Sequence, residues 1–322
     1  MKGSTGTVVP DSVAQGSVAL FLEYNESLTV RNVVLFDLAS RRKYYVTQDD
    51  YLKDSPILSK DRRSVVFVSA RLGEPRVLKA MGESVRRQIY SLSLADGVIS
   101  RFDSSLQDET SRGAFLLSSI DWSIDQQHLL CARVSNDIEE ISPGSERYST
   151  LASLPQGCNI HHIVLSPNGK LLACEYSSFD TEFTEGITIF NLKEHTNIVV
   201  TKGRLSCWLG GWSDDNEEFV YGSGAVADTS PVIFNMRTRE SEILRIPGED
   251  DSLFVEGACF LNANVLLLTA AHKNPNPEDL TRGKGGDLAI FNTQTRAFEW
   301  LTLDWRDKDA LRFYSRHSQR SN

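Results

Sequence analysis

Short runs of large apolar residues, broken by polar or glycine-containing turns, recur from one end of this chain to the other. Each run is about five to seven residues long, the length of a strand rather than a helix. Six of the runs open hairpins with a large apolar residue just ahead of the turn. These are VVLFDLASRRKYYVT (33–47), IYSLSLADGVISRF (89–102), DIEEISPGSERYSTL (137–151), ITIFNLKEHTNIVVT (187–201), VIFNMRTRESEILRI (232–246) and LAIFNTQTRAFEWLTL (288–303). Aligned on Phe36, Leu92, Ile141, Phe190, Phe234 and Phe291, the copies recur roughly every 50 residues.

A second strand pair precedes each hairpin. Its clearest copy is IVLSPNGKLLACEYS (163–177), where Ser-Pro-Asn-Gly separates two apolar runs. PILSKDRRSVVFVSA (56–70), IDWSIDQQHLLCARVS (120–135), GGWSDDNEEFVYGS (210–223) and ACFLNANVLLLTAA (258–271) follow the same plan. Ser59, Ser123, Ser166 and Ser213 are equivalent, and Asn262 stands near that place in the last copy. The first copy, TVVPDSVAQGSVALFLEY (7–24), is the most eroded, keeping the turn-like Pro10-Asp11-Ser12 and the apolar second strand.

Each unit is therefore four antiparallel strands with nothing helical between units. A lone four-stranded sheet cannot bury both faces, so successive sheets must stack, and a closed ring does this without long exposed edges. A two-sheet sandwich also has short strands, but it does not account for a Ser-x-Asp/Asn turn repeating once per unit. The expected fold is an all-β, six-bladed β-propeller. The blades cover about 7–47, 55–102, 118–151, 159–201, 206–246 and 257–303, and 304–322 follow as a latch and basic tail.

The turn SPNGK (166–170), FVSARLGEP (67–75) followed by QIYSLSLADG (88–97), and the pairs Trp122-Ser123 and Trp212-Ser213 resemble the WD40-like repeat of the TolB family of propellers. The likeness extends over all six units, is strongest in the second and fourth, and lacks the GH…WD signature of true WD40 repeats. It implies a six-bladed propeller. Proteins built from this repeat include periplasmic scaffolds, the gating propellers of prolyl-oligopeptidase-type enzymes and some polysaccharide lyases. The 322 residues leave no room for the small α/β domain that precedes the propeller in TolB itself.

Charge narrows the partners. With 34 Lys+Arg against 43 Asp+Glu the net charge is −9, which argues against a dedicated nucleic-acid or anionic-membrane binder. No apolar run is long enough to span a membrane, and the start MKGSTGTVVPDS has no secretory pattern. The five cysteines are an odd number without a CxxC pair. Cys131 and Cys174 lie in apolar runs as reduced core thiols, which favours a reducing, cytoplasmic setting.

Antiparallel order places the first–second and third–fourth turns of every blade on one face, where they are short. Longer connections fall on the other face: 71–87, 178–185, 224–230 and 271–286 within blades, 103–117 and 247–256 between them. Long loops that build no core point to binding, so this long-loop face is the expected site for a protein or peptide partner. Arg71, Arg76, Lys79, Arg86 and Arg87 in blade 2, with His272, Lys273, Arg282 and Lys284 in blade 6, would form a basic sector around blade 1. Asp180, Glu182, Glu185, Glu249, Asp250 and Asp251 would form an acidic sector opposite, and such a bipolar face orients a charged partner.

Catalytic signatures are absent: no GxSxG, HExxH, GxxxxGK[ST] or strand-following GxGxxG occurs, and no cofactor or metal is expected. Gly283, Gly285 and Gly286 form a loop tip rather than a phosphate cradle. His161 and His162, on an inner strand of blade 4, are the best acid/base or ligand-binding candidates. Strict alternation would send them to opposite sides, so that they could not share a metal. Trp122 and Trp212 suit packing between blades, whereas Trp208 falls outside the repeat and is placed to stack on a ligand at the channel mouth. Asn25-Glu26-Ser27 is the one glycosylation sequon. Leu311, Phe313 and Tyr314 would latch the ring, leaving a loose tail with Arg316 and Arg320. A non-catalytic scaffold is the leading expectation, a glycan- or small-ligand-acting propeller the second, and a subunit of a larger assembly the third.

Overall fold

The computed structural model describes residues 7–25, 30–49, 51, 53–69, 88–102, 117–133, 136–142, 148–178, 182–203, 206–225, 228–247, 253–272, 286–304, 306 and 308–315. A four-residue helix, α1 (Asp11–Ala14), precedes β1 (Val18–Tyr24), β2 (Arg31–Asp37) and β3 (Arg42–Tyr45). Blade 2 holds β4 (Lys53–Leu58), β5 (Ser64–Ser69), β6 (Gln88–Ser93) and β7 (Ile99–Arg101), and blade 3 holds β8 (Leu117–Trp122), β9 (Leu129–Arg133), β10 (Asp137–Ile141) and β11 (Tyr148–Ser153). Blade 4 is β12 (Cys158–Leu165), β13 (Leu171–Ser178), β14 (Thr184–Asn191) and β15 (Thr196–Gly203). Blade 5 is β16 (Ser206–Trp212), β17 (Glu218–Ala225), β18 (Asp228–Asn235) and β19 (Ser241–Ile243). Blade 6 is β20 (Leu253–Asn262), β21 (Val265–His272), β22 (Asp287–Asn292) and β23 (Phe298–Trp300), and β24 (Lys308–Tyr314) ends the described chain.

Six four-stranded antiparallel sheets form a six-bladed β-propeller. Blade 1 has the order β24-β1-β2-β3, so its innermost strand comes from the far end of the sequence. This corrects the expectation that blade 1 begins near residue 7 with Pro10-Asp11-Ser12 as its first turn: residues 7–10 carry no strand, and α1 occupies Asp11–Ala14. Only a strand on the other side of the ring's opening can tie blade 6 to blade 1, and β24 packs against both β20 and β4.

The anchors of the repeat are core residues. Phe36, Leu92, Ile141, Phe190, Phe234 and Phe291 are all buried. Clusters cross blade boundaries, as where Ala173, Ile187 and Ile189 of blade 4 pack with Trp212, Phe219 and Tyr221 of blade 5. Burial between sheets is thus the main driving force, and the five cysteines join it as free buried thiols.

The repeated serine has a defined job. Ser213 Oγ donates to Asp215 Oδ1 at 2.6 Å and accepts the Glu218 N–H at 2.9 Å, while Asp215 accepts the Glu217 N–H at 3.0 Å. Ser59 with Asp61, Ser123 with Asp125 and Ser166 with Asn168 repeat this lattice. The fourth residue of each turn sits at positive φ: Arg62 at 55°, Gln126 at 53°, Gly169 at 69° and Asn216 at 65°. The spacing Ser-x-Asp/Asn is therefore the spacing of one side chain capping a tight turn.

Candidate functional site

The innermost strand of every blade is an edge strand, and its backbone groups on the axis side need partners from elsewhere. Side chains of neighbouring blades supply them. Ser119 Oγ accepts the Ile163 N–H at 3.2 Å, and Asp121 Oδ2 accepts the Leu165 N–H at 2.9 Å. Glu175 Oε2 accepts the Leu209 N–H at 3.1 Å, and Glu185 Oε2 accepts the Cys207 N–H at 3.2 Å. The indole of Trp122 donates to Leu58 O at 2.9 Å and that of Trp212 to Val164 O at 3.1 Å, each pinning its blade to the preceding one.

Trp208 does the same with the following blade, donating to Val255 O at 3.0 Å. Its ring lies over Gly222, where an added Cβ would fall 1.9 Å from the indole. The side chain is half-buried against the blade 6 cluster, so packing between blades engages it, as it does Trp122 and Trp212.

Each inner strand also carries one residue more than the strand it pairs with, and β20 carries two. The register shifts fall at Ala310–Leu311, Ser55–Pro56, Ser118, His161, Gly210–Gly211, and Glu256 and Leu261. A bulge re-aims side chains, and in blade 4 it overturns the expectation that His161 and His162 point apart. His161 Nε2 lies 2.8 Å from Ser177 Oγ, and His162 Nδ1 lies 3.1 Å from Glu175 Oε2. Ser177 and Glu175 are two residues apart on β13 and share one face. Both imidazoles therefore occupy that face, toward blade 5, and the His162 side chain remains 42% exposed. Among the described residues, no group of three or more His, Cys, Asp or Glu side chains is placed to hold a metal ion.

Arg312 of β24 reaches across the axis. Its guanidinium donates to Asp121 Oδ2 at 3.0 Å and Ile120 O at 3.5 Å in blade 3, and to Ile163 O at 3.2 Å in blade 4. Neither blade adjoins blade 1, so these bonds close the centre of the ring. Burial works against the charge, but the facing Asp121 carboxylate and the neighbouring Tyr314 and Cys259 leave Arg312 above its ordinary pKa. Tyr314 OH accepts the Leu58 N–H of blade 2 at 3.0 Å.

Lys308, at the other end of β24, is buried. Its ammonium donates to Gly286 O, Asp304 Oδ1 and Arg306 O, each at 2.8 Å, and lies 3.4 Å from Asp287 Oδ1. Lys43 joins Asp304 to the buried Glu23, which also accepts the Tyr45 hydroxyl at 2.6 Å. Burial opposes ionisation of Asp304, but the two lysines outweigh it and hold that carboxyl well below the usual range. Lys53 repeats the arrangement between blades 1 and 2, bonded to Asp49 Oδ1 and to Tyr51 O at 2.7 Å. Both are a D-x-x-x-K pattern in a blade-to-blade crossover, a signal present in the sequence at 49–53 and 304–308. Lys308 and Arg312 fall within the segment expected to latch the ring, and both act as closure residues. Their charges face partners inside the ring.

The basic candidates Arg71, Arg76, Lys79, Arg86, Arg87, Lys273, Arg282 and Lys284 lie outside the described residues, as do Asp180, Glu249, Asp250 and Asp251. Glu182 is exposed, while Glu185 is half-buried on Cys207 N.

No family model matches the chain, and no curated protein matches it. Solved structures do. TolB from Acinetobacter baumannii is 16% identical with a TM-score of 0.64 over 92% of this chain, which spans 66% of that protein's chain. A putative TolB from Agrobacterium tumefaciens is 13% identical with a TM-score of 0.55, covering 93% of this chain and 99% of its own. A chain of a nidogen/laminin complex is 9% identical with a TM-score of 0.57, covering 93% and 97%. The protein is thus a TolB-like six-bladed propeller by fold. Among the described residues, no helix is long and apolar enough to cross a membrane.

Proposed function

We propose that this propeller is a non-catalytic scaffold that offers its long-loop face to a protein or peptide. The asymmetry of the two faces carries the reading. On the short-turn face, Ser59, Ser123, Ser166 and Ser213, with Asp37, Asp96, Asn191, Asn235 and Asn292, spend their hydrogen bonds on their own turns. The connections between β5 and β6, β7 and β8, and β21 and β22 are far longer than any such turn. A nidogen/laminin complex contains a chain of similar fold, which agrees with protein recognition. In this reading Arg71, Arg76, Lys79, Arg86, Arg87, Lys273, Arg282 and Lys284 contact an acidic partner surface. Affinity capture comparing the native chain with a variant carrying alanine at Arg76, Arg86 and Arg87 tests it: partner loss is expected, and unchanged recovery refutes the assigned face.

A second reading, a glycan or small-ligand site at the channel mouth, rests on His161 and His162 sharing one face with His162 part-exposed beside Glu175. Its test is a thermal-shift screen with acidic oligosaccharides, in which a His162→Ala variant must lose any shift found.

A further inference from the structure

The serine-capped turns of blades 2 to 5 share one geometry but not one chemistry. Three of them carry Asp61-Arg62, Asp125-Gln126 and Asp215-Asn216 after the serine, whereas blade 4 carries Asn168-Gly169, the one Asn-Gly pair in the chain. The glycine is imposed by its surroundings. It sits at φ +69°, which other residues adopt with strain, and an added Cβ would fall 2.5 Å from the Ile124 side chain of the blade 3 turn.

A glycine after asparagine leaves its backbone nitrogen unshielded, so that it can attack the side-chain amide. Gly169 N sheds its proton and bonds to Asn168 Cγ, the Cγ–Nδ2 bond breaks, and ammonia leaves with that proton. Water then opens the five-membered succinimide: attack at Cγ gives aspartate, and attack at the backbone carbonyl gives isoaspartate, whose chain runs through the former side chain. In the closed turn both reactants are held. Gly169 N–H donates to Ser166 O at 2.8 Å, while Asn168 Oδ1 accepts Ser166 Oγ at 2.9 Å and Lys170 N–H at 3.0 Å. Asn168 is nevertheless exposed, so water reaches it. The aspartates in related places lack this reactivity because an ionised carboxylate is a poor electrophile. Hydrogen bonds from Ser123 and Ser213 hold Asp125 and Asp215 below their ordinary value, and Ser93 with the Val98 N–H does the same for Asp96 ahead of Gly97.

We propose that Asn168 is a deamidation site, restrained while the blade 4 turn is closed and released when it opens. The two products differ in what they do to the turn. Aspartate at 168 restores the Ser-x-Asp spacing of blades 2, 3 and 5, and the lattice closes as before. Isoaspartate adds a methylene to the backbone between Ser166 and Leu171, so Ser166 Oγ no longer meets the Leu171 N–H that it accepts at 3.0 Å. Chains that have opened here thus carry one more negative charge, and those with isoaspartate keep an open turn. The site is on the short-turn face and does not depend on the long-loop face.

Incubation in mildly alkaline buffer, followed by peptide mapping that separates asparagine, aspartate and isoaspartate at 168, tests the proposal. The chain unfolded in guanidinium chloride should convert fastest and the native chain slowest. Ser166→Ala removes the bonds to Asn168 Oδ1 and Leu171 N–H and should speed conversion about tenfold over the native chain. Ser213→Ala weakens the equivalent turn of blade 5 and should leave the rate at 168 unchanged, which separates local release from general loss of stability. A native chain that converts as fast as the unfolded one overturns the proposal. So does Ser166→Ala converting no faster than the native chain, and so does Ser213→Ala matching Ser166→Ala.

Discussion

Replacing Arg312 by methionine should loosen the closed ring from its centre. The guanidinium makes one ionic bond, to Asp121 at 3.0 Å, and two bonds to carbonyls of blades 3 and 4, at 3.5 and 3.2 Å. Removing one member of a buried pair costs about 3–5 kcal/mol, mostly because its partner is left charged and unpaired. Asp121 would not be wholly abandoned. It keeps the N–H groups of Trp122 at 2.8 Å and Leu165 at 2.9 Å, and its side chain is 12% exposed. The expected loss is therefore lower, about 2–4 kcal/mol. Urea unfolding followed by tryptophan fluorescence measures it, since Trp122 and Trp212 span blade boundaries. In a double-mutant cycle with Asp121→Asn, the pair of changes should cost less than the sum of the single ones by about 1–3 kcal/mol. A loss for Arg312→Met below about 1 kcal/mol, or strict additivity with Asp121→Asn, would refute the claim that this pair holds blade 1 to blade 3.

Gly222→Ala should displace Trp208 from Val255 O, since the new Cβ falls 1.9 Å from the ring; a loss of about 2–4 kcal/mol and an altered tryptophan emission are expected. Ser213→Ala removes both the acceptor for Glu218 N–H and the donor to Asp215, and should cost about 1–2 kcal/mol in urea unfolding at unchanged secondary structure. Burial pushes the Tyr314 hydroxyl from 10.0 up to about 12, against the opposing pull of Arg312. A raised value means that its contribution is complete below pH 10 and is lost as pH rises toward 12. A Tyr314→Phe variant should show a weaker fall in melting temperature across that window. The depressed Asp304 carboxyl acts in the opposite sense: its contribution is present above its ordinary value of 3.8 and is lost as pH falls below it. Asp304→Asn should flatten that acid limb.

The repeat was legible from the residues because it is written in local physics. Strand length, the Ser-x-Asp/Asn turn and the apolar anchors are each decided within one blade by side chains a few positions apart. Such patterns survive in a linear reading, and they were enough to count six blades. What the sequence could not reveal is set by contacts between residues far apart in the chain. Nothing local distinguishes residues 7–24 from an eroded first strand pair; the inner place in blade 1 belongs to β24 because only a strand from the other end can join the ring's two ends. A latch at the end of the chain was legible, but not the partners of Lys308 and Arg312, which lie in blades 6, 3 and 4. The bulge at His161 was hidden for a related reason. Period-two alternation assumes that both strands of a pair have equal residue counts between contacts, and one inserted residue on β12 reverses every inference about which side a histidine faces. The blade was determined by neighbours in sequence. The closure of the ring and the axis it surrounds were determined by neighbours in space.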